Sequence, residues 1–84
     1  MKPYTVIVMY PAYLWPRPGD PINGIAWVRA ASPEQAAHAG SRRIAWGRQP
    51  PGRIVDFPPI AVFPGYHDDI NPAMRRGRSE RRNG

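Results

Sequence analysis

Residues 4 to 10 read Tyr-Thr-Val-Ile-Val-Met-Tyr, a run of β-branched and aromatic side chains that favours a strand. Alternation places Tyr4, Val6, Val8 and Tyr10 on one face and Thr5, Ile7 and Met9 on the other. Both faces are mostly apolar, which suits a central strand covered on each side better than an edge. The remaining segments have to be arranged around it.

The next stretch, residues 11 to 23, holds Pro11, Pro16, Pro18 and Pro21, which forbid a helix interior and oppose ladder pairing. It reads as a long, stiff loop. Its Tyr13, Leu14 and Trp15 are too apolar for an idle connector, so the loop is expected to fold back onto the domain or to present these side chains to a partner. Residues 24 to 31 form a second strand, antiparallel to the first, in which Ile25, Trp27 and Arg29 alternate with Ala26, Val28 and Ala30.

Ser-Pro-Glu-Gln at 32 to 35 is a helix start: Ser32 can cap, Pro33 takes the first helical position and Gln35 completes a capping box. The helix is expected to reach about Trp46, with Gly47 as a left-handed terminator. Ala36, Ala37, Gly40 and Ile44 make a small-residue inner face, while Glu34, His38 and Arg42 recur at four-residue spacing outside. Residues 54 to 63 carry the third strand, with Ile60 to Phe63 as its core. Pro58 and Pro59 mark it as an edge.

A strand-helix-strand crossover joins parallel strands of one sheet. With the first strand central, the order becomes 2-1-3 in an α+β domain of β-β-α-β succession, with the helix on one face. The other face still needs a cover. The Tyr13-Leu14-Trp15 loop, the segment from Tyr66 to Met74 and a second copy of the chain are the candidates, and a homodimer in which loop and partner copy share the task is expected.

Eighty-four residues make one small domain with a thin core, here residues 1 to 71, followed by a basic tail from 72 to 84. The chain has no cysteine, which removes disulfides, thiolate metal sites and cysteine nucleophiles, and suits a cytoplasmic location. No apolar run is long enough to span a membrane, and the opening Met-Lys-Pro-Tyr-Thr is unlike a signal peptide. The formal charge of +6 is concentrated in the tail, where Arg75, Arg76, Arg78, Arg81 and Arg82 face one acid, Glu80.

Chemistry-bearing residues crowd together once, in Tyr66-His67-Asp68-Asp69. In an extended segment His67 and Asp69 share a side, giving two ligands where a metal-dependent hydrolase needs three or four. His38 is on the outer helix face, and no GxSxG, HExxH or glycine-rich phosphate loop occurs. No enzyme, cofactor or metal is therefore expected, and the segment reads as a strand running out into a polar turn.

Two binding readings remain. Tyr13, Leu14, Trp15 and Tyr66 are of types enriched at interfaces, on a proline-framed loop with a low ordering cost, and point to a protein partner. Arg42, Arg43 and Arg48 beside Trp46, together with the tail arginines, are the candidate contacts for nucleic acid, by phosphate neutralisation and stacking. A basic helix end also meets its own dipole without any partner. Trp27 and Trp46 have a structural alternative, packing between helix and sheet.

The opening YTVIVMYP, the capped SPEQAA and the closing IAVFPGYHDDI resemble small uncharacterised bacterial and phage proteins that end a short sheet in a similar VF-G-H-D phrase. The resemblance covers residues 4 to 70. It implies a stoichiometric inhibitor or adaptor, anti-CRISPR proteins being one such type, and brings no site residues with it. The expectation is a non-enzymatic binding protein.

Overall fold

The computed structural model describes residues 1–15, 17–19 and 21–69. They form strand β1 (Lys2–Met9), strand β2 (Asn23–Ala30), helix α1 (Pro33–Trp46) and strand β3 (Pro59–Pro64). The sheet order is β2-β1-β3, and β1 runs antiparallel to both neighbours. This is the α+β, β-β-α-β arrangement that the two-sided apolar first strand predicts. Val6, Val8 and Thr5 are fully buried, as a central strand requires.

β1 and β2 pair without interruption from Lys2 opposite Ala30 to Met9 opposite Asn23. That register sets Tyr4, Val6 and Val8 beside Val28, Ala26 and Gly24 on the face under α1, and Thr5 and Ile7 beside Trp27 and Ile25 on the face away from it. β3 pairs Val6 with Val62 and Ile7 with Ala61, then shifts register so that Val8 faces Pro59. β3 is bounded by two residues without an N–H, Pro59 and Pro64. Residues 54 to 56, expected within the third strand, form a short 3-10 turn instead. The turn delivers Phe57, fully buried, to the end of the core, edge-on to Tyr10 with ring centroids 6.0 Å apart.

The capping box forms with one displacement. Ser32 Oγ accepts from the Gln35 N–H at 3.2 Å, while Gln35 Oε1 accepts from the Ala31 N–H at 3.3 Å, one residue before the cap. At the other end Gly47 is right-handed, with φ −78°, and donates to the Arg43 carbonyl. The left-handed terminator is therefore corrected: the chain leaves α1 by a right-handed turn, in which a Cβ at Gly47 would lie 3.0 Å from the Arg43 carbonyl oxygen. The inner face is Ala36, Gly40, Ser41 and Ala45, with Ala37 and Ile44 only half-buried. Burial follows the stripe 36-40-41-45, rotated from the expected one because Gly40 sits on the central strand. A Cβ at Gly40 would lie 2.6 Å from Val6 Cβ and Cγ1.

The structural alternative for two of the tryptophans does not hold. Trp27 and Trp46 do not fill the helix-sheet layer; Trp27 is 40% and Trp46 59% exposed. The close approach at Gly40 leaves space there for alanine and valine, not for indole. Leu14 packs against the core cluster, so the loop folds back onto the domain at this residue.

Gly40→Ala sets a helix-propensity gain of about 1 kcal/mol against a collision with a Val6 Cβ fixed to the central strand. Overpacking wins: we expect a net loss of about 2 kcal/mol, seen as a fall in Tm of about 10 °C. An unchanged or raised melting temperature by circular dichroism would contradict the tight helix-sheet contact.

Candidate functional site

After β3 the chain turns at Gly65, whose φ of +87° favours glycine, and whose N–H donates to the Pro3 carbonyl. Residues 65 to 67 then cross the sheet face away from α1. The buried Thr5 hydroxyl holds them, donating to the Gly65 carbonyl at 2.8 Å and accepting from the His67 N–H at 2.8 Å. From β2, Trp27 Nε1 donates to the His67 carbonyl at 3.0 Å, and the Phe63 ring meets the imidazole edge-on. The segment is a clasp over the centre of the sheet.

His67 is committed to that clasp. Its Nε2 lies 2.6 Å from the Pro64 carbonyl, an acceptor only, so the proton belongs on Nε2. Nδ1 is 3.9 Å from Asp69 Oδ1, so His67 and Asp69 do share a side, and they pair as ions only when the imidazole is protonated. Among the described residues no three histidine or acidic side chains gather closely enough to hold a metal ion.

Tyr13, Leu14, Trp15 and Tyr66 are not one surface. Tyr13, 66% exposed, donates through its hydroxyl to Asp56 Oδ2 at 3.0 Å, near the Met9 end of β1. Partial desolvation of that hydroxyl and the adjacent Asp56 carboxylate raise the phenol above its ordinary pKa, with Arg48 and Arg53 opposing. The neutral, hydrogen-bonded form is thus the folded one below the ordinary tyrosine value, and the contact is lost as pH rises through the raised one. Leu14 is packed inward and Trp15 is half-buried. Tyr66 is exposed at the other end of β1, beside Pro3 and Thr5.

The arginine set converges in part. Arg42 and Arg43 line an open groove between α1 and β2 with Trp46 from the last helical turn; Arg29, of the same parity as Ile25 and Trp27, stands at its rim on the strand, and its guanidinium donates to the Met1 carbonyl at 3.2 Å. A second lobe of about 430 Å³ continues it past Met1, Ala30, Glu34 and His38. The two lobes share Arg29, Ala39 and Arg42, so they form one channel along the sheet edge. The Arg42 guanidinium stands 5.8 Å from the Trp46 ring centre, and Arg43 donates to the Trp27 carbonyl at 3.4 Å. Arg48 turns the other way, onto the rings of Tyr10 and Phe57. Arg75, Arg76, Arg78, Arg81 and Arg82 lie outside the described residues. The sequence reading missed Arg29, whose contribution needs the place of β2 at the sheet edge to be known; on the helix, the four-residue ladder of Glu34, His38 and Arg42 was the visible signal.

The face away from α1 is the remaining surface. Ile25, the buried Ile7 and Ala61 form one cross-strand row on it, and Trp27 and Phe63 flank the buried Thr5 in the next. No helix among the described residues is long and apolar enough to cross a membrane.

Thr5→Val keeps the shape and removes both hydroxyl bonds, stranding the His67 N–H. We expect a loss of about 2 kcal/mol, with faster exchange of the His67 amide and a red shift of tryptophan emission as Trp27 loses its acceptor. Unaltered exchange at His67 would mean that Thr5 does not hold the segment.

Family models, curated proteins and solved structures all fail to match this chain, so its function has to be read from its own side chains.

Proposed function

We propose that the chain is a small non-enzymatic binding protein that acts through protein-protein contact, as an adaptor or stoichiometric inhibitor. The observation that carries this reading is the channel beside β2. It joins Arg29, Arg42 and Arg43 to an exposed tryptophan, and arginine and tryptophan are the types that dominate binding energy at interfaces. Glu34 is the one carboxylate lining it among the described residues. The partner surface that fits it is acidic.

A homodimer belongs to the same reading. Trp27 and Phe63, each about 40% exposed, flank a sheet centre that α1 leaves open, and a second copy would bury both. A second reading, single-stranded nucleic acid, is favoured by the Arg42 and Trp46 pair, which offers a charge and a stacking surface together.

Capture from a nuclease-treated lysate separates these readings. We expect a discrete protein to be retained by the wild-type chain and to bind about tenfold more weakly, roughly 1.4 kcal/mol, when Arg42→Glu and Arg43→Glu are combined. Retention of nucleic acid alone before nuclease, and of nothing after it, would transfer the function to the second reading. Undiminished capture by the doubly reversed variant would remove the channel from the interface. Light scattering of the purified chain at twice its monomer mass, reduced to one by Trp27→Glu, is the result expected of the dimer.

A further inference from the structure

We infer that the outer edge of β2, with the channel beside α1, is a strand-addition site for an extended acidic segment of a partner protein. The inference rests on the protein-binding reading and names the chemistry of the partner.

The backbone comes first. β2 stands at one end of the sheet order, so every second residue turns its N–H and C=O away from β1. The phase is fixed by two contacts. Ile22 gives its carbonyl inward to the Tyr10 N–H at 2.8 Å, whereas the Trp27 carbonyl faces outward and accepts from Arg43. Ile25, Trp27 and Arg29 therefore present their amide groups at the edge. At about 3.3 Å per residue this row can pair with five to seven residues of an added strand. The Trp27 carbonyl has a second lone pair, so Arg43 does not have to leave for the ladder to form.

The surroundings then select the strand. On the α1 side it would lie in the channel, whose floor is kept low by Ala30 and Ala39 and whose wall carries Arg42, Arg43 and Trp46. On the opposite side it would extend the apolar face next to Ile25 and Trp27. A strand alternates its side chains between those two sides, so the matching sequence is acidic at every second position and apolar at the positions between. A lone edge arginine would be enough to guard against chance pairing. Arg42 and Arg43 side by side on the channel wall, with Arg29 at its rim, go beyond a guard and set a preference of sign.

The test uses the full chain and three fluorescein-labelled probes: a ten-residue peptide of alternating valine and glutamate, its valine-lysine counterpart, and an oligothymidylate of twenty nucleotides. Anisotropy is expected to show salt-sensitive binding of the Val-Glu peptide and none of Val-Lys. In the complex the amides of Ile25, Trp27 and Arg29 should exchange about tenfold or more slowly by NMR, with those of β3 unchanged. Arg42→Gln with Arg43→Gln, which keeps the long side chains, should weaken the Val-Glu peptide by about tenfold. Slowed exchange in the wild-type complex needs no variant to fold. Binding of the Val-Glu peptide without protection of those amides would overturn strand addition and leave the protein-binding reading standing. Equal binding of both peptides, or of neither, would overturn the acidic preference. Binding of oligothymidylate alone, together with no captured protein after nuclease, would bring down the parent reading as well.

Discussion

The contact between Gly40 and Val6 sets the dimensions of everything else. A helix backbone that comes within reach of a strand Cβ leaves little room around Gly40, where the buried residues facing each other are alanine, valine and glycine with Ser41, while Tyr4 is buried towards the start of β1. The volume that a small core still needs is supplied from its ends. Phe57 closes one end after its 3-10 turn, with the Tyr10 ring against it and Leu14 from the long loop alongside. Gly24 belongs to the same economy of space, because a Cβ there would lie 2.7 Å from the Tyr10 hydroxyl.

Expelling the indoles from that layer gives the molecule its outer surfaces. Trp27 goes to the far side of the sheet and holds the clasp; Trp46 goes to the end of α1 and meets Arg42. Thr5, a polar residue in the middle of the central strand, is satisfied on both sides of its hydroxyl, which is why it can be fully buried. The histidine and carboxylates that draw the eye in the sequence are attached to this clasp. Their geometry is that of a turn being secured, with the imidazole held by a backbone carbonyl.

Much of the fold was legible because several local signals agreed. The two-sided apolar strand placed β1 in the centre, Ser32 and Gln35 started the helix, and alternation divided β2 into Ile25, Trp27 and Arg29 on one face and Ala26, Val28 and Ala30 on the other. What escaped depended on contacts distant in sequence. Gly47 looks like a left-handed cap by its type, yet its conformation is decided by how the chain must leave α1 for the Gly52 to Ala45 bond. Ile54 and Val55 have strand-forming side chains, but the 3-10 turn that seats Phe57 overrides them. In the channel, Arg42, Arg43 and Trp46 were visible as one helical stripe. Arg29 was not, since only the place of β2 at the sheet edge brings it to the rim of the channel. The aromatic loop was read as folding back or presenting its side chains outward, and it does both: Leu14 packs against the core cluster while Tyr13 stays exposed.

The two edges of the sheet are unequal. β3 is short, ends in proline on both sides and breaks register against β1, so it offers little to a neighbouring chain. β2 is longer, regular and free of proline. A sheet with one such edge can be extended on one side only. Growth is thereby one-directional: an added strand becomes the new edge, and whether the complex stops there is decided by the partner's strand, while the β3 side stays closed to it.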